Sequence, residues 1–320
     1  MHKAKDDLGT HMTSGYDVVG DIHGHYDQLE SMLRKLGYAM RDGVWRHPSQ
    51  QMIFVGDLID RGPKQVEVVD TVRRMVDAGS ARCILGNHEF NAVCWATPDP
   101  DQPTAFLRPH GKPGNRKQHH EFLRQVGEGS ALHREIVEWF RALPLWLDLG
   151  EIRVVHACWH QPAIDYLAPR LRTDGSLPDA LYVEASRKGE RAFVSTEALC
   201  KGIEVPLPDG IAFHDKDGKR RDAARIRWWA SDLSSYRKAA IGPPDVTDAI
   251  PDIAFPEELR PKPYAGPPVF FGHYWLFGEP VVLADNLACL DYSVAKNGPL
   301  VAYRWEGENK LSSRKLSIVG

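Results

Sequence analysis

Five short apolar runs in this chain each end in an aspartate, an asparagine or a histidine, usually with a glycine beside it. The clearest is the run at 51–55, which leads into the motif G-D-L-I-D-R-G at 56–62. A short apolar run is typical of a buried strand, so Asp57 stands where a strand ends and a loop begins. Open α/β sheets hold their ligands at such positions. A single aspartate there is more often a helix cap than a ligand, so the argument depends on the repetition of the pattern.

The other four runs end in the same way. They lead into D-I-H at 21–23, N-H-E at 87–89, His156 and His273. The carboxyl ends of parallel strands meet at one edge of a sheet, so these side chains are expected to converge on one small volume. Oxygen and nitrogen donors in such a set suit Mn²⁺, Zn²⁺ or Fe ions. The pattern therefore predicts a metal site at this edge.

The segments between the first three runs have helical patterns. Apolar residues recur at helical spacing over 29–36 and over 66–76. Strand, helix, strand, helix and strand in succession predict a parallel sheet with helices outside it.

The order of the motifs resembles that of the calcineurin-like metallophosphoesterases. It is similar above all to the branch that contains serine/threonine protein phosphatases and bacterial diadenosine tetraphosphatases. The motifs that carry the resemblance are D-x-H at 21–23, G-D-x-x-D-R-G at 56–62, G-N-H-E at 86–89, His156 and G-H at 272–273. It covers the first ninety residues well and then thins to single histidines. The resemblance implies an α/β fold, a two-sheet α-β-β-α sandwich with an inserted cap-like segment.

The resemblance also implies a ligand set for two divalent metal ions. Mn²⁺ is the first choice, with Fe, Zn or Ni as alternatives. Asp57 would bridge the two ions. Asp21 and His23 would complete one site, and Asn87, His156 and His273 the other. Taken singly, His156 or His273 could equally be a buried structural histidine.

Six residues are expected to have further roles around the metals. By the resemblance, His88 is the general acid toward the leaving oxygen, and Asp60 orients it. Arg61 would grip phosphate oxygens, since a guanidinium matches them bidentately; the alternative is a surface ion pair with Asp60. Asn87 would also face the substrate, and Arg227 is a candidate for a second phosphate contact. Glu89 is expected to support the loop and to take no part in catalysis.

The rest of the chain divides into segments of different character. Residues 97–114 are predicted to form an exposed, locally basic loop, either simply solvated or a lip that attracts phosphate. A helix is expected over 121–143 and a hairpin over 145–155. Residues 162–268 are expected to be an insertion or cap beside the metal edge. The final strands at 269–271, 281–283, 287–290 and 300–305 would form the second sheet. Residues 1–14 are expected to be a flexible leader, and 15–320 a single domain.

Composition limits the classes of protein to which the chain can belong. A net charge of -3 over 320 residues argues against a general nucleic-acid binder. No apolar run is long enough to cross a bilayer, so no membrane partner is expected. The cysteines are odd in number and widely spaced, which fits reduced thiols in a cytoplasmic protein; they are Cys83, Cys94, Cys158, Cys200 and Cys289.

These features together predict a phosphoester hydrolase that depends on a dinuclear metal centre, with metal-bound water as the nucleophile. Small phosphoesters or nucleotides are the expected substrates. The alternatives are a serine/threonine protein phosphatase, with a phosphoprotein as partner, or a dinucleoside tetraphosphate hydrolase. A catalytically silent scaffold is a further alternative, which the complete set of ligands argues against.

Overall fold

The computed structural model describes residues 14–208, 210–214, 220–242 and 244–320. The predicted leader therefore lies outside the described residues except for Ser14. The strands are β1 (Gly15–Val19), β2 (Ala39–Arg41), β3 (Val44–Arg46), β4 (Gln50–Phe54), β5 (Ala81–Cys83), β6 (Pro98–Asp99), β7 (Gln102–Phe106), β8 (Trp146–Asp148), β9 (Arg153–Val155), β10 (Glu204–Pro206), β11 (Phe213–His214), β12 (Arg220–Arg221), β13 (Ala223–Arg225), β14 (Val269–Phe271), β15 (Leu287–Cys289), β16 (Leu300–Trp305) and β17 (Leu316–Val319). The helices are α1 (Tyr26–Lys35), α2 (Gln65–Asp77), α3 (Asn87–Ala96), α4 (Pro113–Val126), α5 (Ala131–Arg141), α6 (Gln161–Leu167), α7 (Asp179–Ser186), α8 (Arg191–Lys201), α9 (Tyr236–Ala239) and α10 (Pro244–Ala249).

Two sheets form the centre of the fold. The first has the strand order β17-β16-β1-β4-β5, and β1, β4 and β5 run parallel, linked through α1 and α2. The second has the order β15-β14-β9-β8, with β9, β14 and β15 parallel. The predicted alternation of strands and helices is confirmed, as is the hairpin of β8 and β9.

Side chains alternate across each strand, so each sheet buries both faces. Val18 and Ile53 of the first sheet share one core cluster with Phe270 of the second. The next residues along these strands, such as Val19 and Phe54, belong to the cluster that includes the helices. This alternation is what a two-sheet sandwich covered by helices requires, and the predicted fold class is confirmed.

Two expectations for the end of the chain are wrong. Residues 281–283, which the structure describes, form no strand. Strand β16 lies in the first sheet, antiparallel to β1, and not in the second. An ion pair to a buried aspartate accompanies this pairing, because Arg304 Nε donates to Asp17 Oδ1 at 2.8 Å across the two strands. Partners 287 residues apart in the chain leave no local signal of this choice.

Two expectations for the middle of the chain also need correction. The helix expected over 121–143 is two helices, α4 and α5, because Gly127 and Gly129 both have a φ of 75°, which ends α4 and starts a turn. The Ser130 side chain then caps α5 by accepting a hydrogen bond from the His133 N–H. The loop expected over 97–114 contains the β6–β7 hairpin and the first two residues of α4.

The segment 162–268 consists of two differently packed parts. Helices α6, α7 and α8 add Leu167, Tyr182 and Leu199 to the main helix-covered core. Residues 203–259 carry a small apolar core of their own, centred on Phe255. That the segment acts as a cap stays a prediction. Among the helices that the structure describes, none is both long and apolar enough to span a membrane.

Replacing Phe270 with alanine should lower the free energy of unfolding by about 3–5 kcal/mol. Phe270 is fully buried between the sheets, 5.1 Å from the ring of Tyr303 between centroids. Urea denaturation of metal-free protein measures the loss. Phe277→Ala is the matched control, because that side chain is 64% exposed and should change stability little. Equal effects of the two substitutions would contradict the assigned core.

Candidate metal centre and cleft

The carboxyl ends of the central strands bring the predicted donors together. Asp21 follows β1, Asp57 follows β4, His156 follows β9 and His273 follows β14, while Asn87 is the first residue of α3. Asn87 Oδ1 lies 2.7 Å from His273 Nδ1 and 3.1 Å from His156 Nε2. Asp57 Oδ1 lies 3.3 Å from His156 Nε2.

Asp57 belongs to two groups of donors at once. One group contains His23 and His88, and the other contains His156 and His273, with all candidate ligand atoms of a group within 4.8 Å of one another. Asp21 lies beside the first group, its Oδ2 3.9 Å from His23 Nε2. Such sharing is the geometry that a bridging carboxylate needs.

The orientation of His23 fits a metal ion. Its Nδ1 lies 2.9 Å from the carbonyl oxygen of Ile59, which can only accept, so Nδ1 carries the proton and Nε2 carries the lone pair. Nε2 is buried and has no hydrogen-bond partner among the described residues. It faces carboxylate oxygens of Asp57 at 3.7 Å and of Asp21 at 3.9 Å. A lone pair opposite two carboxylates is repulsive, and a divalent cation between them would satisfy all three groups.

His156 has the same orientation. Its Nδ1 lies 2.8 Å from the carbonyl oxygen of Val55, so Nε2 faces the oxygens of Asn87 and Asp57. Burial would lower the pKa of His156, but Asp57 raises it, so without a metal Nε2 carries a proton toward these oxygens, and a bound cation would take the place of that proton. His273 differs, because Arg225 Nη1 donates to its Nε2 at 3.0 Å. A metal at His273 Nδ1 would require the proton on Nε2, so His273 fits the predicted ligand set only if Arg225 turns away.

Buried charge at this edge is unbalanced. Burial raises the pKa of the Asp21 carboxyl well above its usual range, and the nearby carboxylates of Asp291 and Asp57 add to the effect. Burial also raises the pKa of Asp291, to about 6. Burial lowers the pKa of His23 to about 4, so this ring is neutral and available as a ligand. Divalent cations would neutralise such a cluster of carboxylates.

The loop that carries Asp57 is held in an unusual conformation. Asp57, Asp60 and Arg61 have φ values of 51°, 65° and 97°, which non-glycine residues seldom adopt. Glu89 supports the loop as predicted, because its carboxylate accepts from the N–H groups of Asp57 and Leu58, both at 2.8 Å. Gly86 must be a glycine here, since a Cβ would lie 2.3 Å from the Asp57 nitrogen.

Asp60 connects two buried histidines. Its Oδ2 lies 2.6 Å from His88 Nδ1, and its Oδ1 lies 2.9 Å from His119 Nδ1. Burial would lower the pKa of His88, but Asp57 and Asp60 raise it above the usual value. Gln118 Nε2 lies 3.2 Å from His88 Nε2. Asp60 thus orients the His88 ring as predicted, but the Gln118 amide N–H can only donate, so proton donation from His88 Nε2 would require this contact to open, and the acid role of His88 stays a prediction.

His119 was missed as a site residue. In the sequence it stands among basic residues, and only its burial at 2% exposure and its contact with Asp60 set it apart. No local pattern signals a partner 59 residues earlier in the chain.

A cleft of about 1170 Å³ opens over the donors. Asp57, Asn87, His88 and His273 lie in its wall. Its cationic lining residues are Arg61, Arg108, Lys117, Lys201, Arg221, Arg225 and Lys296. Arg108 comes from the segment 97–114, for which a phosphate-attracting lip was one of two interpretations, and Lys117 follows it on α4; their position in the cleft wall favours that interpretation over a merely solvated loop.

The two arginines predicted from the sequence lie in different places. Arg61 is exposed at the cleft, its Cζ 5.5 Å from the ring centroid of Trp275. The structure pairs Asp60 with histidines, so the alternative of an Arg61–Asp60 ion pair is not supported. Arg227 lies away from the donors, in a separate cleft with Trp229 and Lys238, and its Nε donates to the Ala240 carbonyl at 3.1 Å. The chain turns after β13, so Arg225 reaches the site and Arg227 does not.

Comparisons with known proteins agree with this architecture. The family model described as calcineurin-like phosphoesterase matches residues 16–182. The bis(5'-nucleosyl)-tetraphosphatase PrpE of Bacillus subtilis is 31% identical over 145 residues, which is 44% of this chain and 57% of that protein. The protein of the same name from Halalkalibacterium halodurans is 45% identical over 74 residues, 23% of this chain and 30% of its own length. The chain thus spans about half the length, or less, of these relatives.

Solved structures with a similar fold have low sequence identity. A putative diadenosine tetraphosphatase covers 96% of this chain, with 95% of its own length aligned, at 17% identity and a TM-score of 0.44. A cold-active protein-tyrosine phosphatase from a Shewanella species covers 96%, with 81% of its own length aligned, at 17% identity and a TM-score of 0.48.

Proposed function

Because the chain belongs to the calcineurin-like phosphoesterase family, we propose that it hydrolyses phosphoesters with the help of two divalent metal ions. The observation that carries the proposal is Asp57, a buried carboxylate shared by two groups of donors at the base of a cationic cleft. The proposed ligands are Asp21, His23, Asp57, Asn87, His156 and His273. When bound, the two cations would neutralise phosphate oxygens and lower the pKa of water enough for it to attack near neutral pH.

Side chains of the protein would orient the substrate and donate a proton to the leaving oxygen. Asp60 holds His88 through Nδ1, which leaves Nε2 as the ring atom that donates a proton to the leaving oxygen. Asn87 contributes a neutral oxygen and so limits the negative charge opposite the phosphate. Arg61, on the exposed wall of the cleft, would bind phosphate oxygens through its guanidinium.

The surplus of cations in the cleft supports small phosphoesters or nucleotides as substrates. Among the described lining residues, Asp57 is the only carboxylate against seven cationic side chains. A dinucleoside tetraphosphate hydrolase is the second candidate, and the names of the bacterial relatives favour it. A serine/threonine protein phosphatase is the third candidate.

Two finer points are also proposals. Mn²⁺ is the proposed native metal. The rate of phosphate release after parallel reloading with Mn²⁺, Fe²⁺, Zn²⁺ or Ni²⁺ tests this choice.

A cytoplasmic location is proposed because the five cysteines are all buried and unpaired, which fits a reducing compartment.

Phosphate release by chelator-stripped, Mn²⁺-reloaded protein tests the proposed function. The substrates are p-nitrophenyl phosphate, diadenosine tetraphosphate and a phosphoserine peptide, each with and without added metal. Metal-dependent turnover of any of them is the expected result, and the fastest identifies the substrate class. If protein with two bound metals turned over none of the three substrates, the proposal would be contradicted.

His119 is expected to act as a positioning residue. His119→Ala removes the N–H that holds Asp60 Oδ1 and should lower kcat roughly 10-fold or more, the usual scale for an outer-shell partner. His119→Asn, which can place an amide N–H near the same point, should restore part of the rate. The loss should be larger for an alkyl phosphate than for p-nitrophenyl phosphate, because only the poorer leaving group needs full proton donation. Equal losses for both substrates and both variants would show a structural role instead.

A further inference from the structure

Arg108 is held at the cleft by neutral groups. Its Nη1 donates to Asn91 Oδ1 at 2.6 Å, and its Nη2 donates to Gln118 Oε1 at 2.7 Å. Both acceptors are amide oxygens, which orient the guanidinium without neutralising it. None of the ion pairs among the described residues involves Arg108, and the carboxylates of Asp60 and Glu197 act on its guanidinium only from beyond contact distance.

The burial of Arg108 makes this arrangement informative. The side chain is partly buried, and a guanidinium stays charged in proteins. Removing a charge from water without an opposite charge is costly. An anionic ligand in the cleft would supply the missing partner, and phosphate matches the planar fork of a guanidinium.

Arg108 also has a defined position relative to the proposed chemistry. Gln118 lies between Arg108 and His88: its Oε1 accepts from Arg108 and its Nε2 lies 3.2 Å from His88 Nε2. His88 Nε2 is the atom that faces the leaving oxygen in the proposed function. Arg108 is thus linked to His88 by a single side chain, and Lys117, the residue before Gln118 on α4, lines the same wall of the cleft.

We propose that Arg108, with Lys117, forms a subsite for a phosphate group attached to the leaving oxygen. The preferred bond would then be the P–O–P bond of a nucleoside polyphosphate rather than the C–O–P bond of a monoester. This inference rests on the proposed function and names the residue that selects the leaving group. Arg108 acts here on specificity, whereas Arg61 binds the phosphate under attack.

The reaction balances with water as the only co-substrate. A water oxygen bonds to the attacked phosphorus, and the bond from that phosphorus to the bridging oxygen breaks. The electron pair leaves on the bridging oxygen of the departing phosphate, which takes a proton from His88. A proton from the water replaces the one that His88 gave.

Adenosine diphosphate and adenosine monophosphate form a matched pair of probes. Attack on the terminal phosphate expels AMP from the first and adenosine from the second, so the two differ by one phosphate on the leaving side. Initial rates of phosphate release by the metal-reloaded full chain give kcat/KM for both and for p-nitrophenyl phosphate. Arg108→Ala should lower kcat/KM for ADP by about 10- to 100-fold, the scale of a lost charged hydrogen bond. It should leave AMP and p-nitrophenyl phosphate within about threefold.

Two further variants complete the experiment. Arg124→Ala is the charge-matched control, because Arg124 lies on α4 with Lys117, is exposed and pairs with Glu121; the ADP rate of this variant should not change. Arg108→Lys keeps the charge but loses the fork, and should show a smaller, still ADP-selective loss. This variant decides the question if Arg108→Ala is poorly folded.

The results that overturn the subsite are distinct from those that overturn the proposed function. An equal loss for ADP, AMP and p-nitrophenyl phosphate would make Arg108 a structural support of His88 and overturn the subsite. No loss for ADP would overturn it as well. Inactivity of the unmodified protein on all three small substrates, with both metals bound, would instead overturn the proposed function.

Discussion

Replacing Asp57 with asparagine is expected to abolish metal-dependent phosphate release and to weaken metal loading. Asp57 is the one residue in both donor groups, with its oxygens 3.7 Å from His23 Nε2 and 3.3 Å from His156 Nε2. Burial would raise the pKa of this carboxyl, but His156 and His88 hold it well below its usual range, so it is anionic. Asparagine keeps the size of the side chain and loses the charge, so it cannot bridge two cations.

Metal content after dialysis and phosphate release should be measured together for Asp57→Asn. Asp27→Asn is the matched control, since Asp27 is an exposed aspartate that pairs with Lys64 at the surface. The control should keep both metals and full activity. If Asp57→Asn were fully active with two bound metals, the bridging assignment would be wrong.

Replacing His88 with alanine should leave both metals bound and slow turnover by roughly 10²–10⁴, the usual scale for a lost general acid. The ring of His88 contacts Asp60 at 2.6 Å, whereas its backbone N–H donates to Asp57 Oδ1 at 3.0 Å. Alanine keeps the backbone contact, so Asp57 should stay in place while the proton donor is lost.

Metal analysis of His88→Ala separates two roles for this histidine. His88 also lies in a three-residue donor group with His23 and Asp57, so loss of one metal on substitution would make it a ligand. The expected result is two metals and a slow rate, with the largest loss on an alkyl phosphate. His120→Ala, at an exposed position on α4, is the control and should not change the rate. An unchanged rate on a poor leaving group would count against proton donation by His88.

The residues at the ends of the strands could be predicted because their signals are local. An apolar run followed by glycine and Asp57, or by Asn87, is visible within a few residues, and the parallel arrangement of strands brings such ends to one edge. The structure brings Asp21, His23 and the other proposed ligands together there, although their role as ligands stays a prediction. Local signals also predicted the support that Glu89 gives to the loop.

The cationic wall of the cleft could be predicted only in part. The sequence indicated a basic segment near Arg108 and Lys117, but its orientation toward the site depends on where α4 packs. Arg227, the candidate for a second phosphate contact, lies in a separate cleft, whereas Arg225, which was not named from the sequence, lines the site, because the turn between them sends the two side chains in different directions. Charge and spacing along the chain do not determine such a turn.

The sequence by itself determined the strand ends, the donor types and the family of this protein, because these follow from short motifs and from the repeat of strand and helix. Only the tertiary structure decided that β16 pairs with β1 in the first sheet, that His119 contacts Asp60, and that Gln118 links Arg108 to His88. Each of these depends on contacts between segments far apart in the chain. Their free energies come from packing and buried polar pairing, which no local pattern of residues encodes.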